Sequence, residues 1–522
     1  MAKKMQYSKE EEKVLNFFFT NLDKPIFVTK NFHPEVWALM QARYSRSREG
    51  LRESFLSLLK EEPENFEKLK EEIKNLEGGI KSKHAIEKAI QFMEKWVLGY
   101  GHSSIAEGAV VGLGLEGISI LATKKIEDNR LCSFIEKSTR YVSFDNSSVY
   151  IDEDLKNSEY YEEIKSLLDF LFEIYIELHE PVLEYVKKVA PCEEGVTKAA
   201  WERACAARRF DAIRYLLPTC TKTSLGWTVN ARQLAHTISK LLSSPLKEMN
   251  MIGEMLKEET SKVLSSLLKY SDKKEYFIKT EKEMKELAKK IKIENENVEN
   301  VVLVRSSENP DEMIISSILY RYKNEPFEKI LEKVKIMSAK EKEEIFDSYL
   351  KNMSDFDWPM RELEHVQFTF DIVMDYGAFR DLQRHRICTQ TNQIFTADLD
   401  YDIPKDIINA GCADRYKEAM ERVKKLYYKI KDKYPLQAQY ILSLGFKKRF
   451  LITMNLRELY YFIKLRTTPL AHESYRRIAS KFYEIMKSKY PLLSKYIICN
   501  CSQEELGRLK SEEKTERAKK LL

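Results

Sequence analysis

The chain has no Cys-x-x-Cys pair, so the commonest zinc-ligand spacing is missing and no metal site is expected. Its eight cysteines, Cys132, Cys192, Cys205, Cys220, Cys388, Cys412, Cys499 and Cys501, do not follow the spacing of a secreted disulfide framework. The N-terminal run MAKKMQYSKEEEK lacks the apolar core of a signal peptide. The most apolar stretch, Ala109 to Thr123, carries Glu116 and is shorter than the roughly 20 residues that a bilayer requires. A reducing, cytoplasmic location with no membrane span is therefore expected. A strong charge bias is missing as well. With 87 basic against 82 acidic residues the net charge is +5, which does not make the basic stripe of a dedicated nucleic-acid binder.

What is present describes a folded protein. Hydrophobic residues make up 43% of the chain and charged residues 32%, outside the range of disordered sequences. A length of 522 residues exceeds one compact core, so two or more domains are expected. Helical periodicity dominates over 49–97 (broken at Gly78-Gly79), 158–190, 412–434 and 470–490. Extended candidates are Ile26 to Val28, Val301 to Val304 and Val366 to Phe370. The expected class is α+β and helix-rich. The polar run 270–300 reads either as a junction or as a solvated helix.

The chain repeats itself. Asn230, Arg232 and Leu234 recur as Asn455, Arg457 and Leu459, 225 residues on. NRLCS (129–133) recurs as HRICT (385–389), and Glu107 as Glu364. ARYSRS (42–47) and LYRYK (319–323) lie near the two starts. Matches in the same order indicate a duplicated domain, with copies at 1–270 and 301–522 and a charged linker at 271–300. Asn230 stands 101 positions after Asn129, against 70 from His385 to Asn455, so the first copy carries an insertion there.

The densest cationic cluster is Gln383-Arg384-His385-Arg386. Guanidinium forks suit phosphate, pyrophosphate and carbonyl oxygens through paired, charge-assisted hydrogen bonds. A solvated basic turn is the plain alternative. In context, ELEHVQFTF (362–370) followed by RDLQRHRICTQTNQ (380–393) resembles the central region of the flavin-dependent thymidylate synthases. That family has R-H-R followed by a S-x-R-Y element. Asn455 to Arg466 resembles its last motif. In the first copy Glu136-Lys137-Ser138-Thr139-Arg140-Tyr141 resembles E-x-S-x-R-Y, and Gly101 to Glu107 resembles G-H-x-(S/T)-x-x-E. Arg214, before Leu216-Leu217-Pro218, stands where the family has its arginine.

The two copies have lost different pieces. The first keeps Glu136, Ser138, Arg140 and Arg214, but reads Asp128-Asn129-Arg130 for R-H-R and Leu241 for the last arginine. The second keeps Arg384, His385, Arg386 and Arg466, but has Ile394, Thr396 and Gln439 at the other positions. In the family, one subunit supplies the R-H-R region and another the S-x-R loop. The losses follow that division. The expectation is two tandem copies of the family fold, each specialised as one side of a shared site.

The resemblance implies reductive methylation of dUMP to dTMP, with methylenetetrahydrofolate giving the carbon, FAD the hydride and NADPH the electrons. It implies dUMP contacts at Gln383, Arg384, Glu136, Lys137, Ser138, Thr139, Arg140, Arg214 and Arg466, with Arg466 catalytic at the uracil edge. It implies FAD contacts at Arg384, His385, Arg386, Glu136, Ser104, Asn230, Arg232, His236, Asn455 and Arg457. Two fused chains would supply four domains, so a homodimer with pseudo-tetrameric symmetry is expected. Departures are Asp381, where the family commonly has glutamine, and Tyr461, where it often has asparagine. His365 reads as a core histidine on a strand, and Cys132, Cys388 and Tyr460-Tyr461-Phe462 as packing residues. Rival readings are a flavoenzyme acting on another pyrimidine nucleotide, a non-catalytic nucleotide- or flavin-binding regulator, and an RNA-binding protein.

Overall fold

The computed structural model describes residues 7–44, 49–61, 63, 66–67, 70, 105–264, 267–268, 270–294, 299–500 and 505–521. The expected Gly78-Gly79 break, most of the helical region before residue 97, and Gly101 to Ser104 lie outside them. The chain divides into two compact units. One comprises Met1–Leu115, Leu131–Ile135 and Leu225–Lys292; the other comprises Glu116–Arg130, Glu136–Ser224 and Ile293–Leu522. Among the described residues no helix is long and apolar enough to cross a membrane, and no group of three or more His, Cys, Asp or Glu side chains could hold a metal ion.

Among the described residues, seven strands form two sheets. β1 (Val110–Ser119), β2 (Cys132–Glu136) and β3 (Lys222–Asn230) make a three-stranded sheet in the order β1-β3-β2. β4 (Val301–Ser306), β5 (Gln367–Asp375), β6 (Thr389–Asn392) and β7 (Lys447–Asn455) make a four-stranded sheet in the order β4-β5-β7-β6. The class is the expected helix-rich α+β.

In the first unit, Lys9–Phe18 begins with a capping box in which Ser8 and Glu11 satisfy each other's backbone N–H groups. Val14, Leu15, Phe19, Met40 and Phe55 form its core. Ile26 to Val28, an expected strand, forms none: Ile26 and Val28 are exposed, and only an isolated bridge, Phe19 to Thr29, lies beside them. The polar run contains the helix Glu275–Lys290, which buries no residue.

In the second unit the register pairs Phe368 with Met454 and Phe370 with Ile452. Alternation sends Phe368, Phe370, Ile372, Phe450 and Ile452 to one fully buried face. The helix Glu473–Lys489 covers that face, its Phe482 ring stacked on Phe370 at 3.9 Å.

The duplication is visible bond by bond. The side chains of Asn230 and Asn455 cap their helices, accepting from Gln233 N at 2.9 Å and Glu458 N at 2.8 Å. Arg232 pairs with Glu107 at 2.6 Å, as Arg457 does with Glu364 at 3.0 Å. Within the second unit the copies meet about a local two-fold axis. Thr219 N donates to Leu442 O and Leu444 N to Leu217 O, both at 2.9 Å; Cys220 N donates to Tyr440 O and Gly445 N to Tyr215 O, both at 3.0 Å. Pro218 faces Ser443 at the centre. Helix Tyr161–Glu177 corresponds to Ala413–Ile430. The expected first-copy insertion is the helix pair His179–Val189 and Lys198–Ile213, which has no counterpart among the described residues between Ile430 and Gln437.

Candidate active site

The motif residues that each copy retains converge in the second unit, around one buried carboxylate. Glu136 ends β2, and its side chain is 1% exposed. Its Oε1 accepts from Arg380 Nη2 at 2.7 Å and Thr123 Oγ1 at 3.2 Å. Its Oε2 accepts from Lys124 Nζ at 3.0 Å and Arg384 Nη2 at 3.5 Å. Burial acts to raise the Glu136 carboxyl, but Arg380, Lys124 and Arg384 overcome it and hold the pKa at about 2. Lys124 and Arg380 occupy equivalent places in the two copies, so one carboxylate joins both. Arg380 Nη1 reaches Thr139 Oγ1 at 3.3 Å, and Gln383 Nε2 donates to Lys124 O at 2.9 Å. Arg384 is left half-exposed.

Beside this junction lies an arginine cluster. Ser138 Oγ accepts from Arg140 N at 3.2 Å, which fixes the turn of the loop. Arg140 grips both carboxylate oxygens of Asp211. Arg214, one turn beyond Asp211, is 2% exposed. Its Nε stands 4.0 Å from Asp211 Oδ1, too far for a hydrogen bond. Among the described residues, Arg214 Nε and Nη2 are buried donors without a hydrogen-bond partner. Burial opposes ionisation of Asp381, but Arg384, Arg214, Arg140 and Arg466 hold its carboxyl well below the usual range. Asp381 is thus the counter-charge shared by arginines of both copies.

The third part is His385. Arg466 Nε donates to His385 Nε2 at 2.8 Å, and arginine is only a donor. The ring proton therefore sits on Nδ1, which donates to Glu458 Oε1 at 2.7 Å. Burial lowers the His385 pKa, against a partial rise from Glu458; the ring is neutral. Arg466 Nη2 also donates to Asp381 O at 2.8 Å. Both nitrogens leave Arg466 in one orientation.

Comparison with known proteins gives the family. Residues 32–264 and 302–492 both match the thymidylate synthase complementing protein family. The chain belongs to that family. It carries the family domain twice, as the motif pieces indicate. A UPF0159 protein of Chlamydia muridarum is 32% identical over 98% of this chain and 99% of its own length. A UPF0159 protein of Thermoplasma acidophilum is 27% identical over 81% of this chain and 91% of its own. A flavin-dependent thymidylate synthase of Saccharolobus solfataricus is 36% identical over 148 residues, 27% of this chain and 56% of that protein. The tandem length is shared with the UPF0159 proteins, and the flavin-dependent synthase matches over a shorter stretch.

Lys137 is exposed, its N–H on Ser224 O at 2.9 Å. Arg386 is half-buried. Asn230, Arg232 and His236 belong to the other unit; His236 is exposed and meets the Phe277 ring edge-on. Arg457 is tied to Glu364 and to Pro359 O. Ser104 lies outside the described residues. His365 is corrected: it is exposed, at the end of the short 3-10 helix Arg361–His365 rather than in a core strand. β5 starts two residues later, so alternation reaches Val366 and Phe368 and leaves His365 out. Cys388 is buried, with its thiol pushed up by burial, and Tyr460 and Phe462 are core. Tyr461 is half-buried between His385 and Trp358.

Motif reading missed Lys124, Arg380, Asp211, Glu458 and His472. Asp211 was signalled by its place one turn before Arg214, and Lys124 and Arg380 by their equivalence in the repeat. His472 caps the helix Glu473–Lys489 by accepting from Ser474 N, and its Nε2 meets Asp211 O at 3.3 Å. Burial and then Arg214 lower its pKa to about 3.

The corresponding place built from the lost pieces is filled by the chain itself. Gln439, at the counterpart of Arg214, accepts from Phe395 N at 3.3 Å and donates to Leu436 O at 2.9 Å. Phe395 is buried against Tyr376, with ring centroids 4.4 Å apart. Lys448 donates to Gln393 O at 2.7 Å; burial and then Lys125 lower its pKa to about 7. The cluster of buried arginines has no equivalent here among the described residues.

Proposed function

We propose that this protein is a flavin-dependent thymidylate synthase that converts dUMP to dTMP, with methylenetetrahydrofolate as carbon donor and NADPH as reductant, in one site made from both copies. The observation that carries the reading is Arg214, buried with two partnerless guanidinium donors beside Arg140. A buried cation with unused directional donors suits a dianionic phosphate. Ser138 and the backbone at Thr139 complete that cradle. Arg466, aimed by His385 and Asp381 O, meets the uracil edge. A fixed cation there stabilises charge on the N3–O side and so activates C5 as a carbon nucleophile. No covalent protein nucleophile is used.

FAD supplies the hydride chemistry when bound. The half-exposed Arg384, neutral His385 and Arg386 suit it, with the Tyr461 ring next to His385 and the Trp358 ring against Tyr461. The capped Asn230 and Asn455 and the paired Arg232 and Arg457 act at the edges of cofactor sites, in a homodimer. Purified protein with flavin absorbance should release tritium from 5-tritiated dUMP only when methylenetetrahydrofolate and NADPH are both present. Flavin-loaded protein that releases none contradicts the reading.

A further inference from the structure

The C-terminal segment touches the two loops that carry the proposed substrate arginines. Arg508 Nη1 donates to the Tyr141 hydroxyl at 2.7 Å, with the guanidinium 5.2 Å from the ring centroid. Tyr141 directly follows Arg140. On its other side, Gly507 lies so close to Pro469 that any Cβ would collide with the Pro469 carbonyl. Pro469 is three residues after Arg466. Asn500 N also donates to Thr467 Oγ1 at 2.9 Å, next to Arg466.

The segment is tied down on the helix Lys198–Ile213, part of the first-copy insertion. Arg203 donates to Glu512 at 2.8 Å and Glu516 at 2.7 Å. Arg208 donates to the Glu505 carboxylate at 2.6 Å and, on its other edge, to Asp406 at 2.8 and 2.7 Å. The same helix carries Asp211, which holds Arg140. One helix therefore holds the Arg140 loop through Asp211 and anchors the segment that meets Tyr141 of the same loop.

We infer that Gly507 and Arg508 are positioning residues, clasping the Arg140 loop to the Arg466 loop so that both arginines meet one nucleotide. The inference rests on the proposed substrate, dUMP, for its kinetic form. The clasp touches no substrate atom. It sets how often the cradle is assembled, so its loss weakens capture of the nucleotide and spares the chemical step.

The test uses the full-length protein. Arg508→Ala should raise the KM for dUMP roughly three- to tenfold with kcat kept, the scale of one hydrogen bond and a ring contact. Arg508→Lys should restore part of the loss, since it keeps a donor but not the planar fork. Gly507→Ala should act like Arg508→Ala. Tyr141→Phe, which loses the hydrogen bond and keeps the ring, should raise KM by less, and combining it with Arg508→Ala should add nothing beyond Arg508→Ala alone. In ligand-free protein, amides 138–142 and 466–470 should exchange hydrogen faster in Arg508→Ala than in wild type. Unchanged exchange, or a fall in kcat at constant KM, overturns the clasp. Wild-type protein inert toward dUMP would instead overturn the proposed substrate, and the exchange rates would still decide the clasp.

Discussion

Glu136 of the first copy and Arg380 of the second form an ion pair at 2.7 Å, with side chains 1% and 6% exposed. The carboxylate also neutralises Lys124 and Arg384. Glu136→Gln removes the carboxylate that three cations share; Lys124 keeps Glu127 and Arg384 keeps Asp381, but the buried Arg380 is left without a charged partner. The expected loss of stability is about 3–5 kcal/mol, read by urea denaturation. A loss below about 1 kcal/mol, the scale of an exposed pair, would show that the pair does not join the copies.

Arg214 and Arg466 should fail differently. Arg214→Ala removes a phosphate contact made alike in ground and transition states, so it should weaken dUMP binding by about 1.5–3 kcal/mol and act mainly on KM. Arg466→Ala removes a cation that meets charge developing during reaction, so it should act mainly on kcat. The counterparts are controls. Gln439→Ala and Leu241→Ala should leave both constants nearly unchanged, apart from a packing cost at the buried Leu241. Steady-state kinetics of the four variants decides this, and a Gln439→Ala defect as large as that of Arg214→Ala would contradict the division of labour.

Asp381 sits where its charge faces four arginines. A phosphate entering beside Arg214 meets that negative charge. Asp381→Asn should therefore tighten dUMP binding, by up to about tenfold, while deoxyuridine, which has no phosphate, should be unaffected. Weaker dUMP binding in Asp381→Asn would mean that the carboxylate holds the arginines open for the substrate instead.

Acid should destabilise the fold in two stages. His385 and His472 have folded pKa values lowered from 6.5, so the unfolded chain takes up protons first, and stability falls as pH drops below about 6.5. Glu136, Asp211 and Asp381 have depressed values in the fold. Their contribution is complete above the unfolded values near pH 4 and is lost as pH falls through the folded ones. Tm measured from pH 8 to pH 4 should decline below 6.5 and more steeply near 4. A Tm that rises on acidification through pH 6 would contradict the neutral, buried histidines.

Residues that sit in short local motifs can be singled out from the sequence, and the structure gathers four of them around Asp381. Arg140, Arg214, Arg384 and Arg466 sit in short motifs, and the unequal losses between copies told which belonged together. The web around Glu136 was not legible, because Lys124 and Arg380 sit on helices and meet their partner only through the fold, 244 residues apart for Arg380. β3 and β7 were missed for different reasons. β3 alternates cleanly, burying Thr223, Leu225, Trp227 and Val229, but its end was absorbed into the N-x-R motif. β7 buries Lys448, Phe450, Ile452 and Met454, and a lysine on the buried face with Leu451 on the exposed one hides the period. Ile26 to Val28 has strand-forming residues and no partner strand among the described residues, and so it remained a loop.

Counting dUMP sites per chain tests the central claim, one working site built from both copies, most directly. In the lost-piece counterpart, Gln439 already caps Phe395 N and Phe395 fills the space against Tyr376. Calorimetric titration of flavin-loaded protein with dUMP should give one site per chain, weakened by Arg214→Ala and untouched by Gln439→Ala. Two equal sites per chain would contradict it.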